Sequence, residues 1–360
     1  MAIFGTTHGC CVVPTSVYRE DARNMDVLKA ARRGFACRGV VALLAAVGLL
    51  ATAAPTSAQV VDPAFAGSYS FIDLGGPAGV PTNLGGLTLR SGDPNTLLIG
   101  GNANGGNGAI YSIGVVRGAG NHITGFTGTA SLFSTAPEID GGLAYGPGGV
   151  LFYTGYSENL LGQIEPGSTS PDKIINLTPL GVASSVGSLN FVPAGFPGAG
   201  ELRIVSYNGG GFYTATLTPD GTGTYDISNV ALAATLQGGP EGFVYVPTGS
   251  PVFTTPSMLI SEYIAGRISA YDLDVNGIPI PATRRDFITG LTDAEGAFLD
   301  PLTGDFLFST FGSGNSRVIA VRGFAAPQQA GVIPEPGTLA LLAMAAIPGG
   351  LVLRRRRRQP

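Results

Sequence analysis

Tryptophan is absent from this chain, and cysteine and histidine nearly so: three Cys and two His in 360 residues. Cys10, Cys11 and Cys37 all lie near the N-terminus, so a chain trimmed there keeps no thiol. That excludes a cysteine nucleophile, a thiolate zinc site and a disulfide framework in the trimmed protein, and suits an oxidising compartment. His122 is then the sole remaining histidine. It sits in the loop-like stretch "RGAGNHITGF", where a solvated side chain is the expectation. No G-x-S-x-G elbow supplies an activated serine. Charge is scarce too, at 12% of residues.

The charge that exists is segregated. Between Gln59 and Pro336 there are nine basic and twenty-one acidic residues, a net of −12. Such a body repels nucleic acid. Basic residues crowd the ends instead: Arg19, Arg23, Lys29, Arg32, Arg33 and Arg38 at the front, and Arg354, Arg355, Arg356, Arg357 and Arg358 at the back.

What is plentiful is glycine, with 56 residues, and proline, with 26, in a chain that is still 44% hydrophobic. That combination is too apolar for disorder and reads as many short strands joined by many turns.

Both ends read as addresses. Residues 25–58 hold a basic stretch, an apolar run from about Gly39 to Ala54, and a small-residue exit ending Thr56-Ser57-Ala58. This is the three-part pattern of a secretory signal with cleavage after Ala58, and Met25 is a candidate true start. The run is shorter than the ~20 residues of a membrane-spanning helix. At the other end, Pro334-Glu335-Pro336 precedes an apolar run from Leu339 to Leu353 and then the five arginines. A basic cluster holds its side of the membrane, so the arginines act as a stop-transfer flank for a short transmembrane helix. The segment closely resembles the PEP-CTERM sorting signal of Gram-negative bacteria, over about the last twenty-eight residues. The resemblance implies recognition of Pro334, Glu335 and Pro336 by an exosortase, removal of the tail, and release or transfer to the cell surface. It also implies an association with exopolysaccharide and biofilm.

The body between the addresses repeats. "GGLTLRS" from Gly85, "GGLAYGP" from Gly141, "GSLNFVP" from Gly187, "EGFVYVP" from Glu241 and "EGAFLDP" from Glu295 start at successive intervals of 46 to 56 residues. This is the spacing of propeller blades with four short strands each. Second and third strands follow in every repeat, and a fourth precedes each next one. The fifth repeat lacks its fourth strand, whereas "YSFIDL" from Tyr69 stands alone before the first. The expected fold is therefore all-β: a five-bladed β-propeller over residues 59–324, its last blade closed by the N-terminal strand. A linker follows at 325–333 and the sorting signal at 334–358. A sixth degenerate blade, in Gly114–Ala130 or Thr248–Ser257, is the alternative count; a β-sandwich or β-helix is the alternative fold.

Chemistry is sparse. "GGNANGGNG" from Gly100 lacks the Lys-Ser/Thr ending of a phosphate loop and reads as an inter-strand loop. Glu241 and Glu295 begin equivalent innermost strands, with Asp140 one register away. In a propeller such positions converge on the axis, where carboxylates either face solvent at a channel mouth, the plainer expectation, or bind Ca²⁺. Glu262, Asn190 and Asn83 are candidate further ligands. Tyr153, Tyr156, Tyr207, Tyr213, Tyr263 and Tyr271 offer either sugar-stacking faces or packing between blades. The blade repeat is also similar to that of metal-dependent lactonase and NHL-type propellers, without their active-site motifs.

The expected function is that of an exported, non-enzymatic module associated with extracellular matrix or exopolysaccharide. No cofactor is required, and Ca²⁺ is the one candidate. The expected partners are the export machinery, an exosortase and extracellular polysaccharide, with an inner-membrane intermediate before the cell surface or medium. A metal-dependent lactonase or esterase-like hydrolase built on Glu241 and Glu295 is one alternative, and a purely structural surface protein another.

Overall fold

The computed structural model describes residues 59–327 except Ser313 and Asn315. The leader, the Ala58 cleavage point, the Pro334-Glu335-Pro336 motif and the arginine run lie outside the described residues. Among the described residues, no helix is long and apolar enough to cross a membrane.

The strands form five antiparallel sheets, and these are the five blades. Blade 1 comprises Leu87–Arg90, Asp93–Gly101, Ala109–Arg117 and Ile123–Thr135. Blade 2 comprises Ile139–Tyr145, Leu151–Gly155, Leu160–Ile164 and Lys173–Asn176. Blade 3 comprises Val186–Phe191, Leu202–Ser206, Gly211–Pro219 and Tyr225–Thr235. Blade 4 comprises Pro240–Tyr245, Ser257–Glu262, Arg267–Asp272 and Arg285–Thr289, with Val60–Val61 added to its outer edge. Blade 5 comprises Ala294–Leu299, Phe306–Thr310 and Val318–Arg322, and its fourth strand is Ser70–Gly75. That strand runs antiparallel to the chain's last one, with Ser70 opposite Arg322 and Ile72 opposite Ala320. The N-terminus thus closes the ring and covers an edge that would otherwise invite other strands. No sixth blade hides in Gly114–Ala130; that stretch lengthens the outer hairpin of blade 1.

Alternation explains why the second strands are apolar at nearly every position. Successive side chains point to opposite faces of a sheet, and both faces of a blade are covered by neighbours. Leu97 and Ile99 face the layer shared with blade 5, whereas Leu98 joins the layer shared with blade 2. Leu259 and Ile260 divide likewise between the blade 4–5 and blade 3–4 layers, as do Phe308 and Leu307 between the layers on either side of blade 5. Five apolar layers result, one at each blade interface.

Near the axis the blades approach too closely for side chains. A Cβ on Gly86 would lie 2.6 Å from the Gly142 carbonyl carbon, one on Gly142 2.8 Å from Leu189 N, one on Gly242 2.3 Å from Ala297 N, and one on Gly296 2.7 Å from Gly86 Cα. The exception in this ring is Ser188, whose Oγ donates to Gly141 O at 3.3 Å. Hydroxyls from second strands stitch neighbouring blades together. Thr154 Oγ1 accepts from Gly142 N–H and donates to Gly187 O, both at 2.9 Å. Ser309 Oγ accepts from Gly296 N–H at 2.9 Å and donates to Gly85 O at 2.7 Å, which joins blade 5 to blade 1.

A second lock sits between blades 4 and 5. Phe65, Tyr69, Phe253, Phe287 and Phe324 form one aromatic cluster, with Tyr69 and Phe324 centroids 4.5 Å apart. It gathers the entry segment, Phe253 from the loop before the Ser257–Glu262 strand, and the end of the last blade. The chain remains docked past Phe324, since Ala325 N–H donates to Ser250 Oγ at 3.1 Å.

His122 is not the solvated side chain that its loop-like setting suggests. Its Nδ1 lies 2.8 Å from the buried Asp305 carboxylate, and Arg117 pairs with Asp300 at 2.6 Å beside it. Both pairs tie the outer hairpin of blade 1 to blade 5. Burial raises the Asp305 carboxyl, and the His122 contact opposes that rise.

Candidate functional site: an acidic funnel on the propeller axis

Three innermost strands deliver a carboxylate at their second residue: Asp140 in blade 2, Glu241 in blade 4 and Glu295 in blade 5. Their ligand-competent oxygens lie within 4.8 Å of one another. The solvent-facing arrangement expected for them is corrected here. Asp140 is 1% exposed, Glu241 4% and Glu295 2%. The glycines explain why the acids fit. A Cβ on Gly187 would stand 2.5 Å from Glu241 Oε2, and one on Gly141 3.1 Å from it. Gly141 and Gly187 hold the repeat position that Glu241 and Glu295 occupy in their own blades. A larger residue in blade 2 or 3 would therefore compete with the carboxylates for the axis.

The floor carries uncompensated charge or shared protons. Asp140 Oδ2, Glu241 Oε2 and Glu295 Oε1 are buried without a hydrogen-bond partner, and no ion pair among the described residues reaches these acids. Burial pushes the Asp140 carboxyl up to about 7, against hydrogen bonds from Glu295, Gly141 N–H and Asn104. Glu241 is raised well above the carboxylate range by burial and then by Asp140. Glu295 is raised by burial, then by Glu241 and Asp140. The directions agree in favouring protonated carboxyls among the three when no counter-charge is present. Like charges this close cannot all ionise unaided.

The walls are aromatic. A funnel of about 280 Å³ is lined by Asn104, Tyr156, Tyr207, Tyr263 and Phe311 above the three acids. Tyr156, Tyr207, Tyr263 and Phe311 each follow a second strand immediately, in blades 2 to 5, so the repeat itself places a ring at each corner. Tyr207 and Tyr263 meet edge to face at 5.8 Å, and Tyr263 and Phe311 at 6.2 Å. Burial, followed by the nearby acids, raises the Tyr207 hydroxyl. Blade 1 contributes differently. Asn104 sits in the glycine-rich loop with φ 62°, anchored by its N–H on Ile139 O at 3.0 Å, and its Oδ1 is buried without a partner.

The tyrosines thus divide into two roles. Tyr156, Tyr207 and Tyr263 line the funnel, whereas Tyr153, Tyr213 and Tyr271 are buried between blades. Glu262 does not join the acids. It accepts from Arg284 Nε and Tyr271 OH, at 2.8 and 2.7 Å, and is fully employed inside blade 4. Asn190 Nδ2 donates to Phe243 O at 3.0 Å, and Asn83 is held through its backbone N–H on Ser316 Oγ; neither lines the funnel. Phe311 was missed in the sequence, although it follows its second strand at the same repeat position as the funnel tyrosines. Asn104 carried no signal, because a side chain's aim within a glycine loop depends on tertiary contacts.

Larger grooves lie on the outside. One of about 910 Å³ is lined by Pro197, Arg203, Thr216, Tyr225 and Asn276 among others, and one of about 580 Å³ by Arg90, Phe133 and Tyr145 among others. Neither gathers unpartnered carboxylates as the axis does. Volume alone does not make a site; convergent polar groups in an apolar wall do.

The chain matches no family model and no curated protein. Its fold is similar to solved structures at low identity. A putative 6-phosphogluconolactonase from Bacteroides uniformis is 15% identical, over 65% of this chain and 66% of that one, with a TM-score of 0.37. A glucose dehydrogenase is 12% identical, over 70% and 98%, with a TM-score of 0.41. An auxiliary nutrient binding protein from Bacteroides thetaiotaomicron is 10% identical, over 71% and 76%, also at 0.41. The chain spans just under two thirds of the first of these. Fold likeness at this level does not carry function.

Chemically, the funnel is able to hold an oxygen-loving cation, or to present protonated acids as hydrogen-bond donors to hydroxyls, beneath flat apolar faces.

Proposed function

We propose that this chain is an exported, surface-sorted binding protein whose propeller holds a hydroxyl-rich saccharide, as found in extracellular polysaccharide, at the axial funnel. The observation that carries the reading is the ring of Tyr156, Tyr207, Tyr263 and Phe311 over a floor of carboxyl groups. Aromatic faces shed water against the apolar C–H faces of a sugar, and the polar floor meets its hydroxyls. The two terminal addresses support delivery outside the cell. Cleavage after Ala58 leaves the described fold whole, since its first strand begins at Val60. An exosortase acting at Pro334-Glu335-Pro336 would remove the apolar tail and the arginines.

The test is retention of the purified full chain on polysaccharide from its own producing strain. Replacing Tyr207 and Tyr263 by Ala is expected to weaken retention at least about tenfold, because each exposed stacking contact contributes on the order of 1 kcal/mol. Retention that survives both substitutions would move the site off the axis. A wild-type chain that is not retained would remove the saccharide reading.

A further inference from the structure

The floor of the funnel has a simpler occupant than a sugar. Glu241 and Glu295, both more than nine-tenths buried, each aim an oxygen with no donor into the same space as Asp140. A fourth unpartnered oxygen, Asn104 Oδ1, arrives from a loop of another blade and lines the same funnel. An isolated buried carboxylate costs several kcal/mol, and three in one place without a counter-charge cost more. Either protons or a cation must neutralise them. We propose that Asp140, Glu241 and Glu295, with Asn104 Oδ1, bind one divalent cation, Ca²⁺ by chemistry.

The donor set decides the class of metal. Every donor is a hard oxygen, and no thiol or imidazole lines the funnel, which disfavours zinc and copper. The spacing fits a single ion. Ligands on opposite sides of Ca²⁺, each at 2.3–2.6 Å, stand about 5 Å apart, and the carboxylate oxygens fall within 4.8 Å. Three carboxylates and one amide oxygen leave two to four of the usual six to eight positions open. The funnel opens those positions toward the tyrosines, where water or ligand hydroxyls complete the shell. Binding displaces the protons that an empty site must hold, so affinity falls as pH falls. The site stands apart from the saccharide reading: the ion needs only the floor, and the sugar needs the walls.

Tyrosine supplies a direct readout. The chain has no tryptophan, and three tyrosines line the proposed site, so Tb³⁺ bound there is sensitised by tyrosine excitation. The full chain, stripped with EDTA and desalted, is expected to show Tb³⁺ luminescence saturating at one ion per chain and quenched by competing Ca²⁺. Changing Glu241→Gln and Glu295→Gln keeps volume but removes two of the three negative charges, leaving weaker neutral amide donors. Affinity should fall at least about a hundredfold, since even outer partners of metal ligands cost 10–100-fold. Circular dichroism and melting of the variant in EDTA confirm that the ring is intact. Absent Tb³⁺ binding, or equal binding by wild type and variant, overturns the proposal and leaves a protonated trio as the resting state. Ion binding without polysaccharide retention would keep this inference and sink the preceding reading; retention without ion binding would do the reverse.

Discussion

A chain that begins at Gly76 is expected not to fold. The missing stretch supplies the outer strand of blade 5 and, in Phe65 and Tyr69, two rings of the cluster between blades 4 and 5. Phe65 is 1% exposed and Tyr69 4%, and the Tyr69 hydroxyl donates to Pro251 O at 2.5 Å. Emptying a buried aromatic position costs about 3–5 kcal/mol. Two such losses, with an uncovered strand edge, reach the scale of about 5–15 kcal/mol that holds a whole domain together. No other strand completes a four-stranded blade from the opposite end of the chain, and the same deletion removes Val60–Val61 from the outer edge of blade 4. Circular dichroism and size exclusion of the truncated chain check this. Phe65→Ala alone is expected to lower Tm by roughly 10 °C, at about 2–4 °C per kcal/mol for a domain of this size or somewhat less. A truncated chain that melts cooperatively near the wild-type temperature would mean that strand closure is dispensable.

The second large effect is a dependence on pH in the absence of metal. Burial raises Asp140, Glu241 and Glu295 above their unfolded values, so the folded state holds protons that the unfolded state gives up. The sign follows by linkage. Their contribution is fully present below an unfolded value near 4 and is lost as pH rises through the folded values. For Asp140, raised from 3.8 to about 7, the loss is on the order of 4 kcal/mol. In EDTA the wild type should therefore melt roughly 10 °C lower at pH 8 than at pH 5. In the Asp140→Asn, Glu241→Gln, Glu295→Gln triple variant that slope should largely vanish, and at pH 8 the variant should be the more stable. Equal slopes in both proteins would show that the acids are not the titrating groups.

The features that were legible in the sequence are those governed by local chemistry. Turn residues and a repeat near 46 to 56 residues exposed all five blades, because each blade must be built from the same short strands. The closing strand was legible as a surplus at Tyr69 and a deficit after Phe324. The acids were legible as positions, Glu241 and Glu295 sharing one repeat register. Their burial was not, since it depends on how tightly five glycine-lined strands close on the axis. The same limit applies to Glu262: its sequence neighbourhood resembles a ligand's, but Arg284, from the far side of its blade, claims it. His122 likewise owes its partner to Asp305, 183 residues away. Val60–Val61 is too short to be distinguished from a linker without its partner Ile288.

If the axial funnel is where this protein meets its ligand, hydrogen–deuterium exchange of the full chain, with and without polysaccharide fragments from the producing strain, will show it. Protection is expected in peptides spanning Glu138–Gly142, Gly155–Asn159, Tyr207–Gly211, Gly238–Gly242, Tyr263–Gly266 and Asp293–Gly296, all at one end of the axis. Protection confined to the groove of Arg203, Thr216 and Tyr225, with the funnel peptides unchanged, would contradict it.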